Sequence, residues 1–99
     1  MEATLDAMRL HSWRACWMID KGMRNSIESS MSKGKCGRDG TLITHKVCEM
    51  LGAMGFSRKH LPEKWMRDVK ITNIYDGTQR IQSLIVARQI LGLKRDQLK

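Results

Sequence analysis

The stretch TNIYDGTQRIQSLIVARQILG, residues 72–92, decides how the chain folds. Its second half is a helix. Ile81, Leu84, Ile85 and Leu91 recur at helical spacing and give one apolar face. Thr78 is a good N-cap for that helix. Lys94 and Arg95 sit near its C-terminus, where the macrodipole favours cations. The first half poses a question. Tyr75, Asp76, Gly77 and Thr78 put an acid, a glycine and a hydroxyl between a β-branched lead-in and the helix. Turn chemistry before an N-cap accounts for Asp76-Gly77 in part.

Outward from there, the rest reads as helix too. Residues 3–21 carry two apolar stripes, Leu5, Met8, Ala15 and Ile19, and Leu10, Trp13 and Trp17. Two stripes suggest packing against more than one neighbour, and the tryptophans are expected in the core. Gly22 suits a C-cap. Asn25 with Glu28 has the form of a capping box, which starts a second helix. Gly34, Gly37 and Gly40 then recur at a spacing of three. They form either a loop dividing the helix or a stripe where another backbone comes close. From Thr41 to Leu51 the pattern recovers through Ile43, Val47, Met50 and Leu51. GAMGF, residues 52–56, breaks it. Pro62 suits the first turn of a short helix, PEKWMRDVK, whose Glu63, Arg67 and Asp68 read as a structural ion-pair set. Three long helices and one short one, with short connections, give an all-α antiparallel helical bundle.

Totals set the bounds. With 99 residues there is one domain. The aromatic share is 5%, so aliphatics and eight Met must carry the packing. The net charge of +8 is spread along the chain, without a basic block or a recognition motif, and no nucleic-acid partner is expected. Cys16, Cys36 and Cys48 form no CxxC pair, and His11, His45 and His60 make no metal spacing with them. Free thiols suit a reducing cytoplasm. Acidic Glu2 and Asp6 lie where a signal peptide would be basic, and the longest C-terminal aliphatic run is too short for a membrane span.

The junction carries a further pattern. GAMGF is followed by Glu63, Arg67, Asp68 and Lys70, then by Ile74–Thr78, then by Ile81–Arg88. This resembles the C-terminal end of the acyl-CoA dehydrogenase family, with its Gly-rich turn, its E-x-x-x-R-D-x-K segment, I-Y-E-G-T and I-Q-x-L-I-x-A-R. The match runs ungapped over about forty residues, several of them polar or glycine. RLHSWRACWMIDKG and Met31–Lys33 look like the preceding helices of the same domain. By position, Gly34–Gly40 then belongs inside a helix.

The resemblance implies the chemistry. The family binds FAD and an acyl-CoA thioester. A carboxylate removes the α-proton while the β-hydrogen leaves as hydride to the flavin. Electrons then pass to an electron-transferring flavoprotein. Asp76 would hold the place of the catalytic carboxylate, and its backbone N–H would polarise the thioester carbonyl. Tyr75 and Gly77 would border the substrate. Thr78 and Arg80 would face the flavin at the helix start. Glu49, Gly52 and Ala53 would reach the FAD of a neighbouring subunit in a homo-oligomer. Four positions depart from the pattern, one of them Arg80, which stands where many members have Gln or Glu. Asp76 replaces a longer Glu, Glu49 replaces Gln, and Ala53 replaces Gly. An ionised Glu49 cannot donate a hydrogen bond.

The resemblance also implies that residues 1–99 are a single C-terminal domain, an incomplete four-helix bundle. The first bundle helix and the N-terminal domains would be absent, and this chain alone would not be active. The competing expectation is a flavin-free helical interaction module, and behind it a basic nucleic-acid-binding domain.

Overall fold

The computed structural model describes residues 1–94, 96 and 97. Helix α1 spans Glu2–Asp20, α2 Ser26–Leu51, α3 Ala53–Phe56, α4 Leu61–Lys70 and α5 Gln79–Leu91. A single 3₁₀ turn, Ile71–Asn73, follows α4. There is no strand among the described residues, and the architecture is an all-α bundle. Helix α2 is its axis: α1, α4 and α5 each pack on it.

The middle glycines lie inside an unbroken α2, so they form a stripe on one helix and not a loop dividing it. Gly34, Gly37 and Gly40 form the stripe on which α5, the 3₁₀ turn and α4 rest. A Cβ at Gly37 would come 2.5 Å from Asn73 Oδ1, and one at Gly40 would come 3.1 Å from Val69 Cγ2. Missing side chains let those elements sit close. At the far end, a Cβ on Gly55 would come 2.5 Å from the Cys48 carbonyl oxygen. That contact folds GAMGF back on α2 as a single helical turn.

Helix ends follow local chemistry. Met23 N donates to Met18 O and Gly22 N to Ile19 O, closing α1 on a left-handed Gly22. Gly92 closes α5 in the same way, with Leu93 N donating to Arg88 O. Pro62 sits in the first turn of α4. Thr78 Oγ1 accepts from Ile81 N and caps α5. Of the two cations expected beyond α5, Lys94 lies past Gly92, and Arg95 lies outside the described residues.

Three expectations are corrected. Asn25 precedes α2, but its side chain makes no capping bond there. Its amide instead donates to Ala15 O at 3.0 Å, and Glu28 pairs with Arg14 at 3.4 Å. Both side chains serve the α1–α2 contact. Second, Trp13, Trp17 and Trp65 are all exposed, Trp13 by 65%. Helix α1 meets α2 through Ser12, Ala15 and Met18, because small side chains let the two helices approach. Ser12 Oγ hydrogen-bonds Ser32 Oγ at 2.9 Å across that seam. Third, Ile19, Met50 and Leu51 are exposed as well, and Ala15, Met18 and Cys48 are the buried apolar residues. In α4, Arg67 pairs with Glu63 at 3.3 Å and Lys64 with Asp68. These exposed i,i+4 pairs contribute little to stability.

Candidate active site

The loop between the 3₁₀ turn and α5 carries Tyr75, Asp76, Gly77 and Thr78. Its path is constrained. Asp76 has φ 52° and Gly77 φ 89°, two successive left-handed residues. Asp tolerates that region better than most side chains, and glycine enters it freely. The result is a sharp corner that leaves Asp76 exposed immediately before the α5 N-terminus. The first N–H groups of a helix have no intrahelical acceptors, and the dipole there favours negative charge.

Three side chains outside the corner hold it. Gln82 Nε2, one turn into α5, donates to Asp76 O at 3.1 Å and lies 3.5 Å from Gly77 O. Asn73 Nδ2 donates to Thr41 Oγ1 of α2 at 2.8 Å. Lys33, also on α2, donates to Thr72 O, and its ammonium stands 4.5 Å from the Tyr75 ring centroid. The sequence reading missed all three as site residues. Gln82 stands within the helix pattern that was recognised, but nothing in that pattern says its amide turns back. Lys33 and Thr41 lie some forty and thirty residues upstream of their partners.

The expected site residues fall in two places. Tyr75, Asp76, Gly77, Thr78 and Arg80 are together around the α5 start. Glu49, Gly52 and Ala53 are at the other end of α2, with Glu49 roughly 24 Å along the helix beyond Lys33. Glu49 is exposed and pairs with Lys46 at 3.4 Å. Gly52, at φ 55°, makes the corner into α3. A groove of about 430 Å³ opens beside the first place, between α2 and α5. Gly34 and Met31 line it from one side, Val86, Ala87 and Ile90 from the other, and Gln79 and Gln82 close its upper end. Among the described residues, no cluster of His, Cys, Asp and Glu could hold a metal ion. No described helix is long and apolar enough to cross a membrane.

Residues 1–91 match the family model for the acyl-CoA dehydrogenase C-terminal domain. The chain belongs to the acyl-CoA dehydrogenase family. The bovine (Bos taurus) mitochondrial short-chain specific acyl-CoA dehydrogenase is 37% identical over 91 residues. The human (Homo sapiens) one is 35% identical over 91 residues. Each match covers 92% of this chain and 22% of the relative, so the chain spans about a fifth of those acyl-CoA dehydrogenases. A chain solved in a study of the electron transferring flavoprotein of Acidaminococcus fermentans, and of flavin-based electron bifurcation, shares the fold. Its TM-score is 0.90 at 25% identity, over 92% of this chain and 24% of that one. The acyl-CoA dehydrogenases matched in cattle and humans are mitochondrial by name, whereas the free cysteines here suggested a reducing cytoplasm.

Proposed function

We propose that this chain supplies the C-terminal helical part of an FAD-dependent acyl-CoA dehydrogenase, with Asp76 as the base that takes the substrate α-proton. One observation carries the reading: an exposed carboxylate stands on a left-handed corner at the start of α5, in a loop tied to two helices. A carboxylate is the form of side chain that accepts a proton, and this one stands clear of the helix that follows it. The N–H of Asp76 is the oxyanion-hole donor for the thioester carbonyl. Tyr75 and Gly77 border the acyl group.

The residues present fit a flavin at the α5 start. Thr78 has its hydroxyl turned to its own helix, leaving the first N–H groups and the Arg80 side chain to meet an electron-rich ring. Bound FAD would supply the hydride acceptor for the β-hydrogen. Glu49, Gly52 and Ala53 are too far along α2 to serve the same flavin, which supports their use across a subunit boundary in a homo-oligomer. Lys46 balances the charge of Glu49 there. The electron acceptor we assign is an electron-transferring flavoprotein, on the strength of the family. The relatives' names support a short acyl chain. The isolated chain is expected to be inactive, since it spans only part of those relatives' length.

The test is a chimaera in which residues 1–91 replace the matching segment of the bovine enzyme. Flavin reduction by a short acyl-CoA should be retained, and Asp76→Asn should abolish it while acyl-CoA still binds. Reduction of the Asn variant at the parental rate would show that Asp76 is not the base.

A further inference from the structure

We propose that Lys33 is a positioning residue that sets where the Asp76 carboxylate stands. The proposal rests on the reading of Asp76 as base. Lys33 reaches the loop from the middle of α2 and makes two contacts at once. Its ammonium donates to Thr72 O, in the 3₁₀ turn, and covers the Tyr75 ring at 4.5 Å. Thr72 and Tyr75 bracket the backbone that leads directly into Asp76. The ammonium is half-buried, so the charge–ring attraction is less screened than at an open surface.

The geometry divides the work among the three tethers. Gln82 holds the carbonyl side of the corner and travels with α5. Asn73 fixes the base of the loop on Thr41, leaving its own buried Oδ1 without a partner among the described residues. Lys33 alone grips both the turn and the aromatic ring next to the acid. Without it, Tyr75 loses its contact with α2 and the corner can pivot about Asn73. A displacement of about 1 Å at a reacting group costs on the order of 10²-fold in rate. A single methylene lost from Glu to Asp leaves little slack for such a pivot.

Tyr75 is the only tyrosine in the chain, which gives a clean probe. In NMR spectra of the chain as it is, the Lys33 ε-methylene should show cross-relaxation to the Tyr75 ring and an upfield ring-current shift. Lys33→Met should abolish the contact and speed amide exchange about tenfold at Ile74 and Tyr75, whose N–H groups donate to Ile71 O, with α1 and α2 amides unchanged. Lys33→Arg, which keeps a donor and a ring-stacking cation, should restore most of the protection. In the flavin-loaded chimaera, Lys33→Met should lower the rate of flavin reduction between about 10- and 100-fold with acyl-CoA affinity kept. It should have no further effect in the Asp76→Asn background. Absence of the Lys33–Tyr75 cross-peak, or unchanged exchange at Ile74 and Tyr75 in Lys33→Met, overturns the clamp. An equal rate loss with and without the Asp76 carboxylate overturns the positioning role. Should Asp76→Asn keep the parental rate, the base assignment fails, and the NMR arm still judges the clamp.

Discussion

Asp76 is the residue where local conformation and chemistry meet. A side chain at φ 52° is strained unless it is glycine, asparagine or aspartate. Because Asp76 is exposed, replacing it loses no packing, and the backbone alone decides the outcome. Asp76→Asn should therefore change stability by less than about 0.5 kcal/mol, whereas β-branched Asp76→Val should cost about 1–2 kcal/mol. Urea midpoints of the two variants measure this directly. A second acid behaves differently. Asp39 is buried on α2, where its hydrogen bond from Lys35 at 2.6 Å, helped by one from Arg38 at 3.0 Å, holds its carboxyl below the ordinary 3.8 despite burial. A carboxyl lowered on folding stabilises the fold above its unfolded value. The contribution disappears as pH falls through the lower, folded value. Asp39→Asn should thus weaken the fold near neutral pH, and the gap from the parent should narrow as pH falls below 3.8. A gap that stays constant with pH would assign the effect to packing instead.

At the scale of elements, the glycine stripe shows what a sequence can and cannot tell. A spacing of three along a helix places small residues near one face, and that much was legible. Which glycine touches what was not, because the partners come from α4, the 3₁₀ turn and α5, from Val69 to Gln82 in the second half of the chain. The structure separates them. At Gly34 a Cβ would stand 3.7 Å from Gln82 Cβ, an ordinary contact. At Gly37 it would run into Asn73 Oδ1 and stand 3.4 Å from the Thr72 carbonyl oxygen. Gly34→Ala should stabilise by up to about 1 kcal/mol through helix propensity. Gly37→Ala should instead lose about 1–3 kcal/mol by overpacking and should loosen the Asn73 tether. Thermal midpoints that rise for both variants would mean that the loop does not rest on α2. The site was partly legible for the same reason. Residues 75–78 are contiguous and Arg80 follows two positions on, and Thr78 announces the helix start by its type. Lys33, Thr41 and Gln82 are ordinary helix residues until the fold brings the loop against them. The capping box at Asn25 failed on similar grounds: the side chain turns its Nδ2 to Ala15 O of α1, and its Oδ1 makes no capping bond to α2.

The whole molecule exposes more than its size requires. Its accessible surface is 7370 Å², against about 5,800 Å² for a compact chain of this mass. Its radius of gyration is 16.1 Å, against about 13 Å. The excess of roughly 1,600 Å² is what a standard protein–protein interface buries in total. The excess is apolar in one clear place: Leu10, Trp13 and Trp17 line the outer face of α1, all more than half exposed. Leu5, Met8 and Val47 are half-buried within the bundle, whereas Met31 is exposed. An exposed stripe of this kind is seldom left bare in solution. The chain is expected to self-associate through the α1 face, and its tryptophans report on it. Trp13 and Trp17 should emit to the blue at high concentration and shift to the red on dilution, in step with a falling mass by light scattering. Trp13→Ser with Leu10→Ser should lower the association tenfold or more while the circular dichroism of the helices is kept. These two positions do not face α2, so the double variant has no bundle contact to lose. A parental mass that stays monomeric at high concentration would refute the association outright. Association unaffected by the double variant would move the interface off α1, to the exposed Ile90 and Leu91 at the end of α5.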